Sequence, residues 1–249
     1  MPSPTIYALD FDGVICHSAI ETAMTGWKAA QECWLDMSNQ AITQAHIDSF
    51  CQVRPLIETG YEATLIMRHL QQGGTVEDLQ QRYQYSIKTI IQKNNLVIDS
   101  LKAQFGKLRD QWISHNKSDW LANNPLFDDF ATRLQNLPSD SWVIITTKQE
   151  RFVQEILQHH QIQLADEQLY GMDRLLSKQQ VLEQLINKHP NTALIFIEDR
   201  LPTLLEILNN PKLNTIKLQL ADWGYNSTKD QEQAKEHGID VISTQQFIN

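Results

Sequence analysis

The sequence contains few cysteines. Cys16, Cys33 and Cys51 are the only three in 249 residues, and their spacing matches no metal-binding motif. A disulfide framework requires paired cysteines, and a thiolate metal site requires short repeated intervals between them. We therefore expect reduced thiols and a cytoplasmic protein.

Basic residues are in deficit. Lysine and arginine number 21 against 30 aspartates and glutamates, which gives a formal net charge of -9. An acidic surface does not attract a nucleic acid backbone or an anionic membrane, so we expect neither as a partner. A small anionic substrate stays open, because a bound metal ion can reverse the local sign of the charge.

Long apolar runs are also missing. Even the strongest runs, such as residues 193–197, are far shorter than the roughly 20 residues of a membrane-spanning helix. The first residues show no basic segment followed by an apolar one, so no signal peptide is expected. Apolar residues nevertheless make up 41% of the chain, which is ordinary for a packed globular protein.

Four short apolar runs predict buried parallel strands. They are rich in β-branched residues and mostly lack alternation, and they cover residues 6–9, 142–145, 193–197 and 215–218. Helical patterns separate the last three, at 151–159, 179–188 and 204–208. Shorter strands are predicted near 168–171 and 240–242. This alternation predicts an α/β protein with a doubly wound parallel sheet.

The region between the first two strands has a different pattern. Helical periodicity covers residues 20–34, 42–51, 61–70, 76–91 and 100–120, and residues 95–98 are the one weak strand candidate. We therefore predict a catalytic core made of 1–16 and 125–249, with an all-helical insertion at 17–124. The aromatic residues of the insertion are predicted to lie in its core: Trp27, Trp34, Tyr83, Trp112 and Trp120.

Two carboxylates, Asp10 and Asp12, follow the first strand and precede Gly13. Their mutual repulsion has to be offset by a cation or a retained proton. The segment Asp10-Phe11-Asp12-Gly13-Val14-Ile15 resembles the first motif of the haloacid dehalogenase (HAD) superfamily. The resemblance implies that Asp10 is the nucleophile that accepts a phosphoryl group. It also implies that Asp12 is the acid and base. Dehalogenases generally lack this second aspartate, so the presence of Asp12 favours phosphate chemistry.

The second and third motifs of that family bind phosphate. The strand ending Ile144-Ile145-Thr146-Thr147-Lys148 is similar to the second motif, which makes Thr146 the phosphate-binding hydroxyl, with Thr147 beside it. A lysine that opens a helix is the third motif, and it neutralises charge at the nucleophile and the phosphoryl group. Lys178 fits this description, and Lys148 is the competing candidate.

The pair Glu198-Asp199, at the end of the next strand, resembles the fourth motif of the family. In the family such carboxylates hold Mg²⁺ together with the first motif, so the implied ligands are Asp10, Asp12, Asp199 and Glu198. The second acidic residue that many members carry four or five positions later is absent, because those positions are Thr203 and Leu204. The adjacent pair is similar to that of beta-phosphoglucomutases and related phosphatases, which leaves direct, water-mediated or no metal binding open for Glu198.

Further resemblances extend to the end of the chain. Trp223-Gly224-Tyr225 looks like a loop of phosphoglycolate phosphatase-like members, and the resemblance covers about residues 5–17 and 125–245. The helical insertion stands where the family has a C1 cap, which is expected to exclude water and to select the substrate. Arg54 is the candidate cap residue for an anionic substrate, with a plain surface ion pair as the alternative.

These motifs imply a Mg²⁺-dependent phosphatase that acts on a small phosphorylated metabolite through an aspartyl-phosphate. The alternatives are a phosphomutase on the same scaffold and a non-catalytic binding protein of this fold, since fold alone does not determine function. The identity of the substrate and the oligomeric state are left open by the sequence.

Overall fold

The computed structural model describes residues 4–249, so residues 1–3 of the predicted core segment 1–16 lie outside it. The chain forms two compact units. One, the helical unit, is Ser18–Pro125. The other, the sheet unit, joins the described residues up to His17 with Leu126–Asn249.

The helical unit contains five α-helices. They are α1 (Ala19–Cys33), α2 (Gln44–Val53), α3 (Glu62–Gln71), α4 (Val76–Lys93) and α5 (Ile98–Ala122). Residues 18–125 are all described and contain no strand. The strand candidate at 95–98 is wrong, because Asn95 takes a left-handed conformation (φ 50°) and Val97 is the N-cap of α5. A four-residue apolar run cannot by itself distinguish a strand from a turn that leads into a helix.

The core of the helical unit is aromatic and carries one buried ion pair. All five aromatic residues predicted to be core are buried. Arg109 on α5 donates two hydrogen bonds to Glu21 on α1, from Nε to Oε1 at 2.8 Å and from Nη2 to Oε2 at 2.6 Å. Trp120 and Thr25 also donate to Glu21 Oε1. The buried carboxylate is thus satisfied, as a buried charge has to be.

The sheet unit contains a six-stranded parallel sheet in the order β3-β2-β1-β4-β5-β6. Its strands are β1 (Thr5–Leu9), β2 (Trp142–Ile145), β3 (Leu169–Tyr170), β4 (Ala193–Glu198), β5 (Lys217–Ala221) and β6 (Asp240–Ile242). Its helices are α6 (Phe130–Asn136), α7 (Glu150–His159), α8 (Lys178–Lys188), α9 (Leu201–Leu208), α10 (Thr228–Glu236) and α11 (Thr244–Ile248). The α/β class predicted from the sequence is confirmed.

The strand order brings three motif-bearing strand ends side by side. β1 lies between β2 and β4, with Leu9 opposite Ile144 on one side and Ile197 on the other. All three strands are parallel, so the residues that follow them meet at one edge of the sheet. The largest difference from the predicted strand bounds is at β5, which runs over Lys217–Ala221 and not 215–218. Its start is later because the turn before it is closed by the Ile216 N–H, which donates to the Leu213 carbonyl.

Among residues 4–249, none of the helices combines the length with the apolar composition that a bilayer-spanning segment needs.

Candidate active site

Asp10 follows β1 directly and is buried among the strand ends. Its backbone N–H donates to the Ile197 carbonyl of β4 at 3.0 Å, which continues the pairing of the two strands by one residue. The side chain of Asp10 is therefore held by sheet hydrogen bonding at the edge where β4 delivers Glu198 and Asp199.

Lys178 joins Asp10 to Glu198. Its Nζ lies 2.8 Å from Asp10 Oδ1 and 2.5 Å from Glu198 Oε2. Ser177 caps α8 through a capping box with Gln180, so that Lys178 is the first residue of the helix. A helix start fixes the lysine backbone, and the long side chain then reaches across to the strand ends.

The electrostatics of this triad depend on burial. Burial of the Asp10 carboxyl, reinforced by the negative charge of Glu198, raises its pKa to about 7, although Lys178 acts in the opposite direction. Burial alone would lower the pKa of Lys178, but the carboxylates of Asp10 and Glu198 more than offset it, so the pKa lies above its ordinary value. Burial would likewise raise the pKa of Glu198, yet Lys178 and neighbouring donors bring it below its ordinary value. The site therefore holds more negative charge than one lysine balances.

The two acidic residues of the fourth motif have different surroundings. Glu198 accepts hydrogen bonds from three nitrogen donors: Lys178 at Oε2, and the backbone N–H groups of Asp199 and Arg200 at Oε1. Asp199 Oδ2 accepts from the Tyr225 backbone N–H at 2.7 Å, and the Asn226 amide donates to the Asp199 carbonyl at 3.1 Å. Glu198 is thus engaged mainly with protein donors, while Asp199 is oriented by the loop after β5.

That loop also contacts the first motif. The Trp223 indole N–H donates to the Val14 carbonyl at 3.0 Å. A side chain at Gly224 would overlap Asp199 and the Gly13 carbonyl, and one at Gly13, which has φ +91°, would overlap the Asp199 carboxylate. Both glycines are therefore required for Asp199 to approach the residues after β1.

Asp12 and Lys148 form a second ion pair. Lys148 Nζ lies 2.9 Å from Asp12 Oδ1, and the lysine side chain is fully buried while that of Asp12 is 17% exposed. The Lys148 backbone N–H donates to the Thr146 hydroxyl at 3.1 Å, and its carbonyl accepts from Met172. Of the two lysines that the sequence left in competition, Lys178 contacts Asp10 and Lys148 contacts Asp12.

The carboxylates fit a divalent cation. One oxygen from each of Asp10, Glu198 and Asp199 lies within 4.8 Å of the others, and all three side chains are buried. Carboxylate oxygens are the ligands that Mg²⁺ and similar hard cations prefer. Burial and the negative charge of Glu198 raise the pKa of Asp10, and a bound cation would act in the opposite direction. Asp12 Oδ1 faces Lys148, and the side chain of Asp12 is not in this cluster.

The remaining predicted residues have different surroundings. Thr146 is buried beside Lys148, and Thr147 is half-buried. Arg54 belongs to the helical unit, where it is buried and donates to the Ile57 carbonyl at 3.3 Å. Its role as a substrate contact stays a prediction. Sequence reasoning missed Asn226, for which the only signal was its position after the Trp-Gly-Tyr loop.

No protein-family model matches the sequence. No curated protein matches it either.

Solved structures do match over nearly the whole chain. A predicted phosphoglycolate phosphatase from Haemophilus somnus 129PT is 16% identical with a TM-score of 0.59, covering 98% of this chain and 95% of its own. A predicted phosphatase from Clostridium acetobutylicum is 16% identical with a TM-score of 0.55, covering 97% and 94%. A HAD family hydrolase from Deinococcus radiodurans R1, with bound phosphate and sodium, is 11% identical with a TM-score of 0.50, covering 98% and 93%. Identities this low establish the fold alone, and the fold of this chain is that of the haloacid dehalogenase-like hydrolases.

Proposed function

We propose that the protein is a phosphatase that hydrolyses a small phosphomonoester through an aspartyl-phosphate on Asp10, with a divalent cation, Mg²⁺, as cofactor. The observation that carries the proposal is the contact of Lys178 with both Asp10 and Glu198, with Asp199 beside them. A carboxylate nucleophile, an ammonium group and a second carboxylate are the groups that covalent phosphoryl transfer needs within one site. The likeness to a phosphate-bound HAD family hydrolase supports the same chemistry.

In the first step, an oxygen of Asp10 attacks phosphorus while the bond between phosphorus and the ester oxygen breaks. Asp12 donates a proton to the departing oxygen, and the alcohol leaves. In the second step, water attacks phosphorus, its proton passes to Asp12, and the bond to Asp10 breaks to release inorganic phosphate. One acid and base thus serves both displacements.

The protein contributes orientation and charge to these steps. Lys178 neutralises Asp10 and the transferred group, and Glu198 holds Lys178 in place. Asp10 and Asp199 would hold the cation, with Glu198 adjacent; when bound, the cation supplies positive charge that offsets the phosphoryl oxygens. The Thr146 hydroxyl lies at the end of β2, beside the same edge, and would donate to a phosphate oxygen.

The test is turnover of a panel of phosphomonoesters with and without Mg²⁺. We expect Mg²⁺-dependent release of inorganic phosphate that Asp10→Asn abolishes, whereas Asp128→Asn, at an exposed aspartate of the same unit, leaves it unchanged. Beryllium fluoride should form an adduct on Asp10. Phosphate transferred back to a second position of the substrate would indicate a phosphomutase. Cation-independent turnover, or an adduct on another residue, would contradict the proposal.

A further inference from the structure

The pair formed by Lys148 and Asp12 is not explained by phosphate binding. Lys178 already contacts Asp10, the residue to which the phosphoryl group would be transferred. Lys148 instead contacts Asp12 at 2.9 Å. The two lysines therefore serve two different carboxylates, although they lie at the same edge of the sheet.

Lys148 is held on both sides of its backbone. Its N–H bonds to the Thr146 hydroxyl and its carbonyl accepts from the Met172 N–H at 3.1 Å, so the residue bridges the end of β2 and the segment after β3. A side chain on Gly171 would overlap the Lys148 carbonyl, so the backbone of Gly171 also packs closely against Lys148. With a fixed backbone and a fully buried side chain, the ammonium group has little freedom to move.

Asp12, by contrast, is a short side chain next to Gly13, and its carboxylate is 17% exposed. The orientation of a partly exposed carboxylate depends on the groups that bind its oxygens. An anchored ammonium group that bonds one of its oxygens restricts that rotation, and a displacement of about 1 Å in such a group can cost on the order of a hundredfold in rate.

We propose that Lys148 is a positioning residue that orients the Asp12 carboxylate for proton transfer to and from the leaving group, and does not act on the phosphoryl group. The inference rests on the proposed function, because it assigns Lys148 a part in the same reaction. Its consequence is specific: loss of Lys148 should matter in proportion to how much the leaving group needs a proton.

The test compares two aryl esters. Phenyl phosphate has a poor leaving group that requires protonation, and 2,4-dinitrophenyl phosphate has a good one that does not. For Lys148→Met we expect turnover of phenyl phosphate to fall about ten- to a hundredfold, with turnover of the dinitrophenyl ester within about threefold of wild type. The beryllium fluoride adduct on Asp10 should form as in wild type. Lys178→Met should slow both esters and weaken the adduct.

A double variant and a matched control complete the design. Asp12→Asn combined with Lys148→Met should be no slower on phenyl phosphate than Asp12→Asn alone, because both changes remove the same function. Lys217→Met, which breaks an exposed lysine–aspartate pair with Asp240 at 2.9 Å, should leave both rates unchanged. Lys148→Gln retains a hydrogen-bond donor, so its rate on phenyl phosphate should lie between those of Lys148→Met and wild type. If Lys148→Met does not fold, the rates of Lys148→Gln on the two esters are compared with those of wild type instead.

Three outcomes would overturn the inference without contradicting the proposed phosphatase activity. They are equal slowing of the hydrolysis of both esters, loss of the adduct in Lys148→Met, and additive effects in the double variant. Failure of the wild-type protein to hydrolyse either ester with Mg²⁺ would instead refute the proposed function, and the role of Lys148 with it.

Discussion

Glu198 accepts a hydrogen bond from Lys178, and this contact directs the lysine toward Asp10, the proposed nucleophile. The distance is 2.5 Å, and the same ammonium group reaches Asp10 at 2.8 Å. With both Glu198 oxygens engaged by nitrogen donors, the glutamate acts on the lysine more than on a cation. The sequence resemblance left the relation of Glu198 to the metal open, and this arrangement leads to a specific expectation.

Glu198→Gln should lower turnover about a hundredfold, because a neutral amide no longer holds Lys178 against Asp10. The cation affinity should change little. Asp199→Asn should reduce the cation affinity strongly, as measured by calorimetric titration with Mg²⁺ or Mn²⁺. The matched control is Glu183→Gln, which alters the ion pair of the half-buried Glu183 with the exposed Lys212 and should change neither quantity. A larger loss of cation affinity in Glu198→Gln than in Asp199→Asn would reverse the assignment.

The raised pKa of Asp10 predicts how cation binding depends on pH. Below about pH 7 the metal-free carboxyl keeps its proton, which a cation must displace. Affinity should therefore rise about tenfold per pH unit up to neutrality and level off above it. Titrations between pH 5.5 and 8.5 measure this, and Asp10→Asn should weaken binding and remove the trend. A pH-independent affinity of the wild-type protein would contradict the electrostatics described for the site.

The same shift predicts a stability trend without cations. Between about pH 4 and pH 7 the unfolded chain has lost the Asp10 proton, whereas the folded protein retains it. The folded state then binds more protons, so this group makes the free energy of unfolding fall as pH rises, by up to about 1.4 kcal/mol per pH unit. Urea denaturation of wild type and Asp10→Asn across this range isolates the contribution. It should disappear when Mg²⁺ is added, because the cation stabilises the ionised carboxylate.

Gly13→Ala should destabilise the sheet unit and disrupt the position of Asp199. An alanine at φ +91° costs about 1–2 kcal/mol in backbone strain, and its Cβ would also overlap the Asp199 carboxylate. Gly238→Ala is the matched control, since that glycine has φ +75° with no atom within 4 Å of an added Cβ. We expect similar strain in both variants but loss of cation binding only in Gly13→Ala. Equal cation binding in the two would show that the close approach to Asp199 is not required.

Arg109→Met should destabilise the helical unit by about 3–5 kcal/mol, because it leaves the fully buried Glu21 carboxylate without its charged partner. Arg82→Met, which breaks an exposed pair with Asp78, should cost about 0.5 kcal/mol or less. Hydrogen exchange measures the effect on each unit separately, and faster exchange in Arg109→Met is expected in α1 and α5. An Arg109→Met protein as stable as wild type would indicate that Arg109 is not needed to offset the charge of the buried Glu21 carboxylate.

Much of the fold was accessible from the sequence for local reasons. β-branched apolar runs marked β1, β2 and β4 within a residue of their bounds, because strands buried on both faces tolerate little else. Helical periodicity identified α1 through α5, because apolar residues recur at helical spacing along the buried face of a helix. The boundaries that were missed, at β5 and at Asn95, depend on turn hydrogen bonds and a left-handed residue that an apolar pattern does not encode.

The sequence by itself determined that Asp10, Asp12, Glu198 and Asp199 stand at or close to the ends of buried strands, and the ends of parallel strands share one edge. Only the tertiary structure decided which lysine meets which carboxylate. Lys148 and Lys178 both stand near the start of a helix, and the helix-opening position of Lys178 favoured it without excluding Lys148. Their partners follow from the strand order, which places β1 between β2 and β4, and from the reach of each side chain across that edge.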